Sequence, residues 1–339
     1  MSSGSANSVG IAACGLRFVF RCDSPAFVGL IATRHAGFLE SVEQPDLVVT
    51  IDTLHKTRNV LRTSPNIDIA RTAHGLTFSR NDFSARFTLP FGEPAGRVAG
   101  VEMVRRLPAA GRVVTAHPTS QCSGRLGTAR LSCVLNRFAF DTFLRSTLQV
   151  FLAGRGRLLV HAAAIRCRVG REFVGYLVPG RSGMGKSTLA AKFGREDVLS
   201  DELPCLGVPT PPRHVRTGGA RQGDRPRRRS ISASVFGTPF HGRFSHIGRN
   251  VVHPLAGIFF LERHFGPRAV PLGRAEAVLR LMGLVACYEK NEAASEVMLA
   301  TAYRAVSSVP SFIFGFDKDE PVESIAKRMA SAVRGRRRP

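Results

Sequence analysis

Lysine is scarce in this chain, and so are the features that would place it in a membrane or outside the cell. Only six of the 48 basic residues are lysine, so arginine carries nearly all the positive charge. No apolar run approaches the roughly 20 residues a membrane helix needs. Arg17 interrupts the N-terminal candidate VGIAACGLRFVF, and that start has no basic region of the kind that opens a secretion signal. The expectation is a cytoplasmic protein with no membrane partner. Cys14, Cys22, Cys122, Cys133, Cys167, Cys205 and Cys287 are odd in number, scattered and free of any CxxC pair. That pattern signals neither a disulfide framework nor a zinc site, and it leaves most of the cysteines as small apolar core residues. No repeat is evident.

What is present begins with length and charge. At 339 residues and 44% hydrophobic, the chain is long enough for a substantial core and two domains. The net charge of +23 comes from 48 basic against 25 acidic residues. It is concentrated: residues 212–230 carry seven arginines against Asp224, and the tail RGRRRP (334–339) adds four more, so the two segments supply +6 and +4. Both read as solvated chain. No aromatic residue is interleaved with them, which removes the usual platform for base stacking. Nucleic acid is therefore not an expected partner. A basic nucleic-acid arm would bind with an affinity that falls steeply with salt.

Residues 16–105 read as a small α/β unit. LRFVFRC and DLVVTIDT are strand-like and flank FVGLIATRHAGFLESV, which has helical spacing. IDIARTA, LTFSR and FSARFTLP then alternate apolar and polar residues around turn signals, as a meander does. No catalytic constellation stands out there, and His35, His55 and His74 read as structural. From 131, LSCVLNRFAFDTFLRSTLQVFLA has the pattern of one long helix. LLVHAAAIRC follows as a buried strand, VGRE as a turn, FVGYLVP as a further strand, then a helix from about 187 and the strand DVLSDE. Beyond the arginine-rich loop, ISASVFGTPF and PLAGIFFLER read as strands, then helices over about 274–288 and 291–308, the strand SFIFGFD and a last helix from 321. Strands and helices mixed in this way predict an α/β or α+β fold, a mixed sheet covered by helices. The expected division is an N-terminal α/β domain over 1–130, a second domain over 131–333 holding the basic loop 212–230, and the basic tail 334–339.

The second domain carries the clearest motif. Gly180, Arg181, Ser182, Gly183, Met184, Gly185, Lys186 and Ser187 fit GxxxxGK(S/T), followed by Thr188. Glycines let successive backbone N–H groups curl inward and approach phosphate oxygens without interference from a Cβ. The helix beginning near Lys186 adds unpaired N–H groups. Lys186, expected to lie outside the core, reaches terminal phosphates, and the Ser187 hydroxyl holds Mg²⁺. The motif follows an expected strand and opens an expected helix, the context it requires. VLSDE then ends in Asp201 and Glu202, fifteen and sixteen residues after Lys186. One carboxylate of that pair suits a hydrated Mg²⁺, and the other suits proton acceptance from an attacking hydroxyl. His161 lies among alanines, where a structural role and a site role are both open.

Three stretches together, LLVHAAAI, PGRSGMGKSTLA and VLSDELPCL, resemble the catalytic domain of the bacterial HPr kinase/phosphorylase family, and more closely its HPr kinase-like relatives. VFGTPFHG, HPLAGIFFLER and FIFGFD are similar to stretches of those relatives, so the resemblance covers roughly 130–330. It implies a fold related to phosphoenolpyruvate carboxykinase, with ATP, Mg²⁺ and phosphoryl transfer to a serine hydroxyl. Lys186 and Ser187 match the phosphate and metal ligands. Asp201 and Glu202 match an aspartate pair supplying metal binding and the base, here with one member a methylene longer. His161 matches an active-site histidine. The arginine-bearing loop used for phosphorolysis has no clear counterpart, although FHGRFSHIGRN offers Arg243 and Arg249. The expected function is a Mg·ATP-dependent kinase acting on a serine of a small protein or peptide, with a homo-oligomer left open. The alternative is a non-catalytic ATP-binding sensor.

Overall fold

The computed structural model describes residues 7–54, 66–72, 75–88, 127–134, 136–209, 233–242, 248–289 and 291–336. The arginine-rich segment 212–230, residues 337–339 of the tail, Cys122, His55, His74 and Arg243 lie outside them. Among the described residues the fold is mixed α/β, with two mixed sheets and six α-helices.

The first sheet contains β1 (Asn7–Ala13), β2 (Leu16–Cys22), β3 (Leu47–Leu54), β4 (Asp68–Thr72), β5 (Gly75–Arg80), β6 (Phe83–Thr88) and β7 (Gly127–Val134), in the order β1-β2-β3-β7-β6-β5-β4. Burial alternates along β2 and β6, as a sheet with one face on a core demands. The expected meander is β4, β5 and β6, paired antiparallel. Strand β1, absent from the sequence reading, forms a hairpin with β2. β7 runs parallel to β3 and antiparallel to β6, so the first sheet extends to Val134, past position 130.

Three expected helices are shorter than their apolar spacing implied, two of them beside the first sheet. Ser24 caps α1 (Pro25–Arg34), accepting from the Phe27 N–H at 3.3 Å, and the helix ends at Arg34 rather than continuing to 42. The long helix expected from 131 is a strand followed by a helix. LSCV completes β7, and α2 (Arg137–Ala153) starts at Asn136, whose side chain accepts from the Ala139 N–H at 2.8 Å. Apolar residues at 131 and 133 fit a strand, and those at 131 and 134 a helix, and pairing on both edges of β7 decides for strand.

The second sheet contains β8 (Arg157–Leu159), β9 (Ala162–Val169), β10 (Glu172–Pro179), β11 (Val198–Ser200), β12 (Cys205–Gly207), β13 (Ser234–Phe236), β14 (Val252–Leu261), β15 (Ala269–Pro271) and β16 (Ser311–Phe314). Its path is β11-β9-β10-β14-β13-β12-β8, with β16 pairing β14 and β15. Helix α3 spans Lys186–Lys192, α4 Arg274–Met282, α5 Glu292–Ser308 and α6 Val322–Arg336. The strand expected as LLVHAAAIRC breaks at His161: β8 pairs β12, whereas β9 pairs β10 and β11. The helix expected to run to 288 ends at Met282.

Most of α2 is buried, and it joins the two sheets. Its Phe140 and Phe143 meet Phe20, Phe27, Phe83 and Phe87 of the first unit, and the same apolar cluster takes in Leu203, Cys205 and Phe240. Aromatic pairs of this kind add to the burial of area alone. No helix among the described residues is long and apolar enough to cross a membrane.

Candidate functional site

Strand pairing brings the scattered motifs to one edge. β9 runs antiparallel to β10, placing Ala162 opposite Pro179, and antiparallel to β11, placing Ala164 opposite Ser200. The end of β10, the start of β9 and the end of β11 therefore coincide. The loop after β10, His161 before β9 and Asp201–Glu202 after β11 are neighbours for that reason. Backbone bonds secure the junction: Gly180 N–H donates to His161 O at 3.3 Å and Ala162 N–H to Glu202 O at 3.2 Å.

The loop from Gly180 turns at Gly183 (φ 81°) and Gly185 (φ 100°), conformations that cost glycine little and other residues more. Arg181, Ser182, Gly183 and Thr188 are exposed, and Met184, Gly185 and Ser187 are half-buried. Lys186 is only 6% exposed, against the expectation of an open side chain. Its Nζ donates to Gly180 O at 2.7 Å and Arg181 O at 2.8 Å, and it lies 3.1 Å from His161 Nε2. The ammonium is thus folded back over its own loop, and those carbonyls satisfy the donors that burial would strand. Burial pushes the Lys186 ammonium below its usual range, while Glu202 and Asp201 pull it back up. Burial, then the Lys186 cation, lowers His161, which leaves its imidazole neutral at neutral pH and able to accept from Lys186.

Asp201 is 3% exposed, and its Oδ1 accepts from the Gly242 N–H at 3.0 Å. Gly242 belongs to a segment tied to the end of β11. Ser200 Oγ donates to Phe240 O at 3.0 Å, and Thr238 Oγ1 donates to Leu203 O at 2.9 Å. Glu202 is engaged differently. Arg145 of α2 donates to both its oxygens, at 3.1 and 2.9 Å, with the guanidinium 5.0 Å from the Phe240 ring centre.

The sequence-predicted residues His161, Lys186, Asp201 and Glu202 are thus brought together. Arg249 is exposed on the segment that runs beside Gly237. Sequence reasoning missed Arg145, Arg34, His241 and Arg263, whose Nη2 donates to Gly183 O at 2.8 Å. Arg145 had a usable signal, a charge recurring four residues after Asp141 on a largely buried helix; Arg263 had none. Compared with protein-family models and with curated proteins, the chain matches none.

The donor chemistry suits magnesium. Among the described residues no three His, Cys, Asp or Glu side chains gather as a self-sufficient cage. Asp201 and Ser187 offer hard oxygens of the kind that hold Mg²⁺ together with substrate phosphates and water.

Proposed function

We propose that the chain is a Mg·ATP-dependent phosphotransferase acting on a hydroxyl, a serine of a small protein or peptide, with a catalytic domain of the HPr kinase/phosphoenolpyruvate carboxykinase kind. One observation carries this reading: the GxxxxGKS loop stands beside a buried carboxylate, a second carboxylate and a histidine that contacts the loop lysine. A glycine turn that merely closed a hairpin would need none of those three.

Lys186 exchanges its bonds to Gly180 and Arg181 for terminal phosphate oxygens when nucleotide enters. His161, neutral, steadies the ammonium during that exchange without adding charge. Ser187 and Asp201 would hold Mg²⁺, which supplies neutralisation of charge across the phosphates. Glu202 is the proton acceptor for the attacking hydroxyl. Arg145 orients it through both oxygens. Radiolabelled ATP with native lysate, followed by identification of the labelled peptide, tests the reading. Label on a serine dependent on Lys186 supports it, and the absence of Lys186-dependent label on any component overturns it.

The Arg145–Glu202 pair favours a second reading, a non-catalytic ATP sensor, because a carboxylate matched by a guanidinium is already neutralised. Under that reading Mg·ATP stabilises the protein and no acceptor is labelled.

A further inference from the structure

Although α2 is largely buried, Asp141, Arg145 and Gln149 recur on it four residues apart and share one face. Each is matched. Gln149 Oε1 accepts from the Tyr288 N–H at 3.2 Å, Arg145 clamps Glu202, and Asp141 holds Arg34, the last residue of α1. Arg34 Nη2 and Nε donate to Asp141 Oδ2 at 2.8 and 3.2 Å. Its remaining nitrogen, Nη1, contacts Nε2 of the His241 imidazole. His241 directly precedes Gly242, whose N–H holds Asp201. One guanidinium from the N-terminal unit therefore bridges α2 and the segment on which Asp201 rests.

The charges make this bridge hard to replace. Asp141 is 9% exposed at the side chain and Arg34 18%, so removing the guanidinium leaves a buried carboxylate without its cation, a costly state. Two imidazoles also stand near Asp141: His241, which feels its charge, and His35, whose Nε2 lies 3.6 Å from Asp141 Oδ1. Burial holds that imidazole neutral down to about pH 4, so it brings no charge to the carboxylate at neutral pH.

We propose that Arg34 is a positioning residue for the phosphate site: by bridging Asp141 and His241 it fixes the Phe240–Gly242 segment that orients Asp201. The inference rests on the phosphotransferase reading and deepens it, because the metal end of a site built on the second sheet is completed from α1.

The test uses the full chain with Arg34→Ala and Arg34→Lys, the latter keeping charge and fold while losing the two-sided fork. Amide hydrogen exchange reads the geometry without any activity. In both variants exchange at the Gly242 N–H should rise about tenfold or more, the effect of losing one hydrogen bond to a charged group, while amides in β16 stay unchanged. The Mg²⁺ concentration giving half-maximal ATP binding should rise about tenfold as well, with metal-free ATP binding unaltered. A merely structural role for Arg34 would lower the melting temperature and leave that Mg²⁺ demand alone. Normal exchange at Gly242 and normal Mg²⁺ demand in a folded Arg34→Lys protein overturn this proposal alone. A wild-type protein that binds no Mg·ATP overturns the phosphate-site reading and this proposal with it.

Discussion

Arg145 holds both carboxylate oxygens of Glu202, Nη1 to Oε1 at 3.1 Å and Nη2 to Oε2 at 2.9 Å, so the second acid of the pair is fixed by a helix 57 residues upstream. This contact gives the two acids different surroundings. Glu202 is oriented by a side chain, whereas Asp201 is oriented by the Gly242 main chain.

The two acids should separate on mutation. Asp201→Asn is expected to weaken Mg²⁺-dependent ATP binding and phosphate transfer together. Glu202→Gln should spare ATP binding and slow transfer by about a hundredfold or more, as loss of a general base does. ATP titration and transfer assays on both proteins check this. A Glu202→Gln protein that loses Mg²⁺-dependent binding instead would exchange the two roles.

Arg145→Leu tests the clamp energetically. The pair is 22% and 25% exposed, so the ion pair contributes about 1 kcal/mol at most, with the contact to Phe240 adding about 0.5 kcal/mol or more. Urea denaturation should therefore show a loss of about 1–2 kcal/mol. A loss of 4 kcal/mol or more, on the order seen for a fully buried charge left unpaired, would contradict the partly exposed geometry.

Lys186→Ala should reduce the stabilisation given by Mg·ATP by about 1.5–3 kcal/mol, the range for a hydrogen bond to a charged group. A thermal shift with Mg·ATP equal to that of the wild type would count against the phosphate loop.

Gly185→Ala probes the loop backbone. At φ 100° an L-residue is strained, although the added methyl would meet nothing closer than the Phe316 ring at 3.7 Å. The cost should be about 1–2 kcal/mol from conformation alone, with weaker nucleotide binding as the loop relaxes. Unfolding free energy and ATP affinity measured side by side check the expectation, which fails if both equal the wild type.

His35 makes stability pH-dependent. Its imidazole is fully buried and its pKa is lowered by that burial, the largest cause, from 6.5 to about 4. Between those values the unfolded chain binds a proton that the native state refuses. The contribution is therefore fully present above about pH 6.5 and is lost as pH falls toward 4. Over that window the loss is about 3 kcal/mol. Denaturation at pH 7 and pH 4.5 should show it, and His35→Phe should flatten that part of the profile. An unchanged slope in His35→Phe would refute the assignment.

Local chemistry was readable along the chain, and for a local reason. The GxxxxGKS motif is written in adjacent residues, because φ beyond +80° at Gly183 and Gly185 and a lysine at the turn are properties of one short segment. Strand β10 running into it, α3 leaving it and the β4–β6 meander were legible from period and turn residues. Where two periods coincided, as at LSCV, the sequence was ambiguous. Neighbouring strands β3 and β6 settled it, because a lone segment does not choose its own hydrogen-bond partners. Asp201 and Glu202 could be named from their place after a strand, but not told apart. That distinction comes from Arg145, on α2, and from Gly242, 41 residues from Asp201. Arg34 and His241 lie 207 residues apart. No spacing rule links such positions, since their meeting depends on how two sheets share α2 and one core. The sequence by itself determined the GxxxxGKS motif and the elements flanking it. Only the tertiary structure decided which charges surround it, because ion pairs depend on distances that chain order does not encode.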